Sequence, residues 1–213
     1  MRYFQTLPTV NRYYNNNDYN TVTNILTRAY LLPQLQNNIQ LFYQYNVKDS
    51  DRPEIIAHKY YNDINKYWLV MFANGMFDPI HDWPLSSQNF LVYLQDKYGA
   101  NAASANTNII AYTKSHIHHY EQITTLYDTS ATDKETTTIQ IDVNTYANLI
   151  TSTTSSTFEN GIILYKVVDK RAVSLYDYEY ETNENKRTIN LIKDIYATDM
   201  ENLYGSIMRS NYG

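Results

Sequence analysis

Three small groups of residues in this 213-residue chain could carry chemistry. The first is the run SHIHHYE, in which His116 and His118 lie two positions apart, with His119 and Glu121 beside them. Side chains two positions apart point to the same side of a strand, which is one geometry for a pair of metal ligands. No fourth ligand is visible nearby, and an exposed polar strand edge is the favoured reading. We therefore predict no metal site and no cofactor.

The other two groups are the pair His81–Asp82 and the acids Asp177 and Glu179. A His–Asp pair is part of a catalytic triad, but adjacent strand residues point to opposite faces and no serine lies in a nucleophile-elbow sequence. Two carboxylates on one strand face could serve a glycosidase, yet many acids in this chain indicate a solvated surface. The sequence therefore does not predict an enzyme, and no catalytic residue is assigned.

Composition argues against several other classes of protein. The formal net charge is −5 and no run of lysine or arginine occurs, so no nucleic-acid partner is expected. The lack of cysteine excludes disulfides, and five glycines are too few for a glycine-rich phosphate loop. No apolar run is long enough to span a membrane, and the first residues lack the apolar core of a signal peptide. We therefore expect a soluble protein made in a cytoplasm, with no membrane partner.

Tyrosine dominates the aromatic residues, with 23 Tyr against 6 Phe and 2 Trp. Tyrosine combines a large contact area with a polar tip, so it is favoured at protein interfaces. A tyrosine-rich core is the alternative. The count exceeds what a core of this size needs, which favours an unusual amount of interface.

The elements that would position these groups begin with an arm that has little core of its own. Thr21 or Thr23 can cap a short helix that ends near Pro33. The apolar residues of that helix would be Ile25, Leu26 and Ala29.

The next segment is predicted to form a strand, two helices and a second strand. The alternation in LFYQYNV indicates a strand at residues 41–47. Asp51, with Glu54 three positions later, can form a capping box for the first helix. Asp63 can cap the second helix, which stops at the left-handed turn Asn74–Gly75. The segment FDPIHDWP then has the pattern of a turn and a short strand.

The remainder is predicted to alternate short elements with loops rich in Asn, Thr and Ser. The segment SQNFLVYLQDKY has the apolar spacing of a helix, and the predicted strands are IIAYT, HIHHYEQIT, TIQIDV and IILYKVV. A hairpin is expected between SLYDYEY and RTINLIK. On a C-terminal helix at residues 194–210, these apolar residues would fall near one face: Ile195, Met200, Leu203, Tyr204, Ile207 and Met208.

The segment KYWLVMFA places apolar side chains around nearly the full circumference of one helix. A helix of this kind must be covered on all sides. The cover could come from flanking segments of this chain or from a partner, and the sequence leaves both possibilities open.

One stretch, YQYNVKDSDRPEIIAHKYYNDINKYWLVMFANGMFDPI, resembles the LysM module, a small βααβ carbohydrate-binding domain. The matching positions are Tyr45, Val47, Asp51, Ile56, Ala57, Tyr60, Tyr61, Asp63, Trp68, Asn74 and Pro79. The resemblance implies a LysM-like core. The sequence departs from the pattern in the loop that LysM modules use to hold sugar, because Ser50 stands in place of the usual glycine and Pro53 follows. That departure puts sugar binding in doubt.

A longer series of segments resembles the small baseplate wedge subunit of contractile-tailed bacteriophages, which carries a LysM-like core. The segments are MRYF, RPEIIAHKYY, YWLVMFANGMFDPIHDWPLS, QNFLVYLQDKY, HHYE and NENKRTINLIK, and they leave out residues 122–160. The resemblance implies a clamp without catalytic activity, present in six copies per baseplate. Such a clamp joins adjacent wedges around the central hub through protein–protein contacts.

The implied partners are other baseplate wedge proteins and the hub-proximal and sheath-proximal tail proteins. The implied location is the tail baseplate of the virion, after assembly in the host cytoplasm. The residues predicted to contact partners are Tyr67, Trp68, Phe72, Trp83, Leu203 and Ile207. The alternative function is a LysM-type module that binds cell-wall glycan.

The predicted fold class is α+β, with four segments along the chain. A LysM-like domain at residues 41–86 follows an extended N-terminal arm at residues 1–40. A helix and a variable region of loops and β-hairpins occupy residues 87–165. A β-hairpin and a helix at residues 166–213 end the chain.

Overall fold

A computed structural model describes residues 7–14, 18–27, 29–31, 35, 38–129, 134–158 and 161–210. At residues 209 and 210 it describes the backbone only. The chain divides into two compact units, residues 1–87 with 183–213 and residues 88–182. The first unit is therefore built from both ends of the sequence. The division of the chain into four segments stays a prediction.

The mixture of helices and small sheets confirms the α+β fold class. None of the described helices is long and apolar enough to cross a membrane. Along the chain the described elements are β1 (Thr9–Tyr13), β2 (Tyr19–Thr23), β3 (Phe42–Asn46), α1 (Pro53–Tyr61), a 3-10 turn (Ile64–Lys66), α2 (Tyr67–Ala73), α3 (Ser87–Ser104), α4 (Ile109–Ser115), β4 (Ile117–Asp128), β5 (Glu135–Ile141), α5 (Val143–Asn148), β6 (Ser152–Thr157), β7 (Ile163–Ser174), α6 (Leu175–Asn185), β8 (Thr188–Ile192) and α7 (Asp194–Ser210).

The first unit completes its strand–helix–helix–strand order with a strand from the far end of the sequence. Strand β3 pairs antiparallel with β8, with Phe42 opposite Ile192. The predicted strand within residues 77–84 is wrong, because the Asp82 carboxylate accepts the backbone N–H groups of Phe77 and Asp78 and folds this segment into turns. The likeness to LysM modules stays a prediction.

The first helix is capped differently from the prediction. The residue before α1 is Arg52, whose side chain makes no capping bond, so the capping box at Asp51 is wrong. The Asp51 carboxylate is buried instead, and it accepts hydrogen bonds from the Tyr45 hydroxyl at 2.7 Å, the Lys48 N–H at 3.1 Å and Lys59 Nζ at 2.9 Å. The Asp51 carboxylate therefore joins β3 to α1.

The signals around the second helix are confirmed. The Asp63 carboxylate accepts the Asn65 N–H at 2.9 Å and caps the 3-10 turn that leads into α2. Helix α2 ends at Ala73, as predicted, and Gly75 has a φ of +64°, in the left-handed region that favours glycine. Local chemistry therefore determines where the 3-10 turn before α2 begins, and Gly75 favours the end of α2 at Ala73.

Segments of this chain cover most of helix α2. Trp68 and Leu69 are buried, while Tyr67 and Phe72 are half-buried. The largest fully buried side chains of this unit come from α1, α2, β8 and α7, and they are Ile56, Leu69, Val70, Ile189, Leu191, Ile192 and Met208. Strand β8 thus supplies the centre of the core on which α2 packs.

Arg187, just before β8, connects that strand to the loops around β3. Its guanidinium donates to the backbone carbonyls of Val47 at 3.3 Å and Leu85 at 3.0 Å. It also pairs with the carboxylates of Asp49 at 2.8 Å and Glu184 at 2.7 Å. All of these partners belong to the first unit, so one side chain holds three separate stretches of sequence together.

The N-terminal helix predicted around Ile25 is wrong within the described residues. Thr21 and Thr23 lie in β2, which pairs antiparallel with β1. Leu26 lies in a turn, and its backbone N–H donates to Asn24 Oδ1 at 3.1 Å. The predicted end of the helix near Pro33 lies outside the described residues. Strands β1 and β2 form a hairpin, because β-forming Val, Thr and Tyr lie on both sides of a sequence rich in Asn.

The second unit is built around an antiparallel sheet in the order β5-β4-β7-β6. The predicted strands at HIHHYEQIT, TIQIDV and IILYKVV are confirmed, and helix α3 is confirmed and longer than predicted. Strand β6 and helix α5 were not predicted. The predicted strand IIAYT is wrong, because Asn108 caps a helix there by accepting the Ala111 N–H at 2.8 Å.

The predicted hairpin from SLYDYEY to RTINLIK is also wrong, because its first half is helix α6. Alternating tyrosines suggested a strand, but the rings of Tyr176 and Tyr180 lie one helical turn apart and both contact Phe90, at 5.8 and 6.0 Å between ring centroids. Residues four positions apart share a face in a helix and also in a strand, so this spacing is compatible with both structures.

A buried carboxylate connects α3 and α6 within the second unit. Glu179 accepts hydrogen bonds from Lys97 Nζ at 2.7 Å and from the hydroxyls of Tyr98 at 2.7 Å and Tyr93 at 2.9 Å. Burial alone would raise the pKa of Glu179, but the bonds from Lys97 and the two tyrosines outweigh it and lower the pKa below its ordinary value. The ionised form is therefore the one that stabilises the fold.

This lowered pKa predicts a loss of stability in acid. The contribution of Glu179 is fully present above the unfolded-state pKa near 4.5 and is lost as the pH falls through the lower folded pKa. Urea unfolding of the wild type and of Glu179→Gln between about pH 6 and pH 3 measures the effect. We expect the wild-type advantage over the variant to shrink on acidification, and an advantage independent of pH would contradict the assignment.

Candidate partner-binding surface

The hairpin β1–β2 exposes both of its faces. Every residue of the two strands is exposed. One face carries the opposed pair Tyr13 and Tyr19, whose ring centroids lie 5.5 Å apart, and the other carries the opposed pair Val10 and Val22. An isolated two-stranded hairpin is only marginally stable in water. A surface that covers either face would therefore stabilise the hairpin.

Exposed apolar residues also follow the hairpin, at positions 25, 26 and 30. Leu26 is 81% exposed, and Ile25 and Tyr30 are also well exposed. Monomeric proteins rarely expose large contiguous apolar patches without a binding role. We name this region the N-terminal apolar surface, which consists of Val10, Tyr13, Tyr14, Tyr19, Val22, Ile25, Leu26 and Tyr30.

A cavity of about 330 Å³ lies beside this surface, within the first unit. Tyr204 of helix α7 forms its floor with two rings of α2, at centroid distances of 4.9 Å to Trp68 and 5.3 Å to Phe72. The lining is apolar and aromatic, and it consists of Ile25, Ala29, Tyr67, Trp68, Met71, Phe72, Met76, Phe77, Pro79 and Tyr204. Such a cavity can receive an apolar side chain of a partner.

Helix α7 presents apolar residues on two sides. Tyr204 and Met208 are buried in the core, whereas Leu203 and Ile207 are exposed and Ile195 is 74% exposed. The prediction that all of these residues lie near one face is therefore wrong. We name Ile195, Leu203 and Ile207 the outer stripe of α7, because all three are exposed.

The structure brings together only some of the residues predicted to contact partners. Tyr67, Trp68 and Phe72 meet at the cavity, and Leu203 and Ile207 lie on the outer stripe of α7. Trp83 is buried away from both, and its indole N–H donates to the Asp51 carbonyl at 3.1 Å. Partner contact by these six residues stays a prediction.

The sequence reasoning missed the hairpin, although the signal was present. The segments TVNRY and YNTVT contain β-forming residues, and the sequence between them is rich in Asn. Two such segments around an Asn-rich turn are a hairpin signal. The low apolar content led instead to the prediction of an arm with a short helix.

The His81–Asp82 pair does not form a catalytic arrangement. His81 is exposed, and its Nδ1 lies 2.7 Å from Asp78 Oδ2 rather than near Asp82. The bond from His81 and the N–H of Ile80 lower the pKa of Asp78. The Asp82 carboxylate accepts backbone N–H groups, so Asp78 and Asp82 both stabilise the turn.

The histidines of the second unit form ring and ion-pair contacts. The ring of His118 stacks on Tyr178 at 3.8 Å, and His119 Nε2 lies 3.1 Å from Glu121, which also accepts Arg171 Nε at 3.1 Å. Across the described part of the chain, no group of three or more His, Cys, Asp and Glu residues has an arrangement that could hold a metal ion.

The loop at residues 50–53, which the predicted likeness to LysM modules aligns with their sugar-binding loop, holds Asp51 inward. The Asp51 side chain is fully buried, and its oxygens are occupied by Tyr45, Lys48 and Lys59. A group engaged in this way contributes to folding, and a sugar hydroxyl would have to displace one of its bonds.

Extensive exposed apolar surface on a small α+β fold is typical of a subunit of a larger assembly. A comparison with protein-family models matches residues 4–209 to the family described as Base plate wedge protein 53. The match covers nearly the whole chain, so the protein belongs to this family of structural proteins of the phage tail baseplate. This confirms the resemblance to a baseplate wedge subunit and indicates a location in the virion tail. A comparison with curated proteins gave no match.

Proposed function

We propose that this protein joins adjacent wedges of the phage baseplate around the central hub through protein–protein contacts. The proposal rests on the N-terminal apolar surface. Both faces of its hairpin are exposed, and a two-stranded hairpin alone is only marginally stable. A wedge partner that covers this surface would stabilise the hairpin and bury its tyrosines. Buried tyrosines contribute strongly to protein interfaces.

A joining role requires contact with two neighbours, and the first unit offers a second surface. The outer stripe of α7 consists of the exposed residues Ile195, Leu203 and Ile207, and it borders the buried face that carries Tyr204 and Met208. We assign the N-terminal apolar surface to one wedge and this stripe to the next. Either surface alone would attach the protein to a wedge, and both together would link two wedges.

The cavity gives the first of these contacts an anchor point. Ile25 belongs both to the N-terminal apolar surface and to the cavity lining, together with the half-buried Tyr67 and Phe72. Deep apolar pockets beside an exposed patch are where interface hot spots form. We therefore assign Tyr67 and Phe72 to the rim of the contact, whereas the buried Trp68 and Trp83 act by packing.

The remaining parts of the proposal rest on the family. Baseplate wedge proteins act in a ring-shaped assembly, and we propose six copies per baseplate, added in the host cytoplasm. The partners would be other wedge proteins and the tail proteins near the hub and the sheath.

The hairpin is tested by the double substitution Tyr13→Ser and Tyr19→Ser. Both rings are exposed, so we expect the free energy of unfolding to change by less than about 1 kcal/mol. Loss of two interface aromatics is expected to lower the amount of protein in purified baseplates at least about tenfold. Quantitative mass spectrometry measures that amount after complementation of a phage whose own gene copy is inactive.

The control is Ile139→Ser, which removes an exposed apolar side chain of the second unit. The control variant is expected to enter baseplates at the wild-type level. Normal incorporation of the double variant would show that the hairpin makes no essential contact and would overturn its proposed role.

A further inference from the structure

Strand β6 forms one of the two edges of the sheet in the second unit. The strand Ser152–Thr157 is the last in the order β5-β4-β7-β6, and all six of its residues are exposed. Its sequence, STTSST, contains no charge and no proline. Natural proteins usually protect edge strands with charges, prolines or bulges, because an open edge pairs with other strands.

The register shows which backbone groups of β6 point outward. The Phe158 N–H donates to the Ile162 carbonyl, and hydrogen-bonded pairs alternate along an antiparallel ladder. Thr154 and Ser156 therefore bond to β7, whereas Thr153, Ser155 and Thr157 direct their N–H and C=O groups away from it. The Ile163 carbonyl agrees with this pattern, since it accepts the Thr129 N–H on the side of β4.

The small sheet of the first unit shows what a protected edge looks like. There the side-chain amide of Asn74 donates to the Asn190 carbonyl at 2.9 Å and accepts the Asn190 N–H at 2.7 Å. One side chain thus occupies the outward backbone groups of β8. No comparable side chain bonds to the outward groups of β6 among the hydrogen bonds described for residues 134–158 and 161–182.

We propose that the outer edge of β6 accepts an extended strand from another wedge protein, which adds a fifth strand to the sheet. Outward N–H and C=O groups at alternate residues select an extended backbone. The neighbouring side chains on both faces are small hydroxyls, so the incoming strand is expected to be uncharged and rich in Thr, Ser or Val. This inference rests on the proposed role in the baseplate and names one of its contacts.

The size of the edge argues against a second copy of this chain as the occupant. A six-residue strand is about 20 Å long, and one strand spacing of about 4.8 Å gives an edge on the order of 100 Å². Stable pairs of proteins bury about 800 Å² per partner. The edge therefore fits an addition made within a larger assembly, where other contacts supply the remaining area.

Amide hydrogen exchange of the isolated protein and of purified baseplates tests the inference. In the isolated protein, we expect Thr153, Ser155 and Thr157 to exchange fast and Thr154 and Ser156 to exchange slowly. In baseplates, the three outward amides are expected to slow at least about tenfold. Unchanged exchange in baseplates that contain the protein would overturn the added strand alone, whereas absence of the protein from baseplates would overturn the proposed function.

Substitutions at Ser155 separate backbone pairing from simple coverage. Ser155→Pro removes an outward N–H without removing a bond to β7, and Ser155→Val keeps that N–H. We expect the proline variant to enter baseplates at least about tenfold less well than the valine variant, at equal melting temperatures. Equal incorporation of the two variants would contradict the proposal. Protection of the outward amides that rises with the concentration of the isolated protein would also contradict it, because that result indicates pairing with a second copy of this chain.

Discussion

Leu69→Ala is expected to lower the free energy of unfolding of the first unit by about 2–5 kcal/mol. Leu69 has no exposed surface and lies in the core cluster formed by α1, α2, β8 and α7. Truncation removes buried methyl groups and leaves a cavity that the surrounding elements can only partly fill. Urea unfolding followed by circular dichroism and tryptophan fluorescence measures the change.

The matched control is Leu26→Ala, the same truncation at a side chain that is 81% exposed. Its expected effect on stability is within about 0.5 kcal/mol. Similar losses for both variants would contradict the burial of Leu69 in this core.

Arg187→Ala is expected to cost about 1.5–3 kcal/mol, mainly through the two backbone carbonyls that lose a charged donor. Val47 and Leu85 accept from Arg187 in a region where the guanidinium is only 14% exposed. The carboxylates of Asp49 and Glu184 are more exposed, so their ion pairs contribute little. Urea unfolding at neutral pH measures the loss.

Two variants define the specificity of this effect. Arg52→Ala removes an exposed arginine whose side chain makes no capping bond, so it should leave stability unchanged. Arg187→Lys keeps the charge but not the planar fork of donors, and it should recover only part of the loss. A full recovery by lysine would show that charge alone matters at this position.

Local chemistry in the sequence predicted part of the fold. The cap at Asp63 and the left-handed Gly75 delimit α2, and alternating residues predicted β3 and β4, because these signals act within a few residues. The pairing of β3 with β8 could not be predicted in this way. Nothing near β3 indicates that its partner comes after the whole second unit, since strand pairing depends on contacts between distant residues.

The predictions failed where one pattern allowed two structures. The tyrosines of residues 176–180 fit a strand by alternation and a helix by i, i+4 spacing, and packing on Phe90 decides for the helix. Asp51 has the sequence position of a cap, yet its burial against Lys59 gives it another role. The first outcome depends on a residue distant in the sequence, whereas the second depends on the nearby side chains of Tyr45 and Lys59 and the N–H of Lys48, which a capping pattern does not include.

The candidate surface was predicted only in part. Apolar aromatics around Trp68 indicated an interaction site, and the structure places Tyr67 and Phe72 at a cavity there. Exposure of the hairpin could not be predicted, because sequence alone does not show whether a tyrosine packs inward or faces solvent. Tyr13 and Tyr19 became candidates only when both faces of the hairpin were seen to be exposed.

Sedimentation of purified wedges tests the central claim most directly. Wedges prepared from a phage that lacks this protein should sediment as single wedges in the presence of the hub. Addition of the wild-type protein should convert them into complete baseplates, and the Tyr13→Ser, Tyr19→Ser variant should not. Assembly of complete baseplates without the protein, or equally well with the variant, would contradict a role in joining wedges through the hairpin.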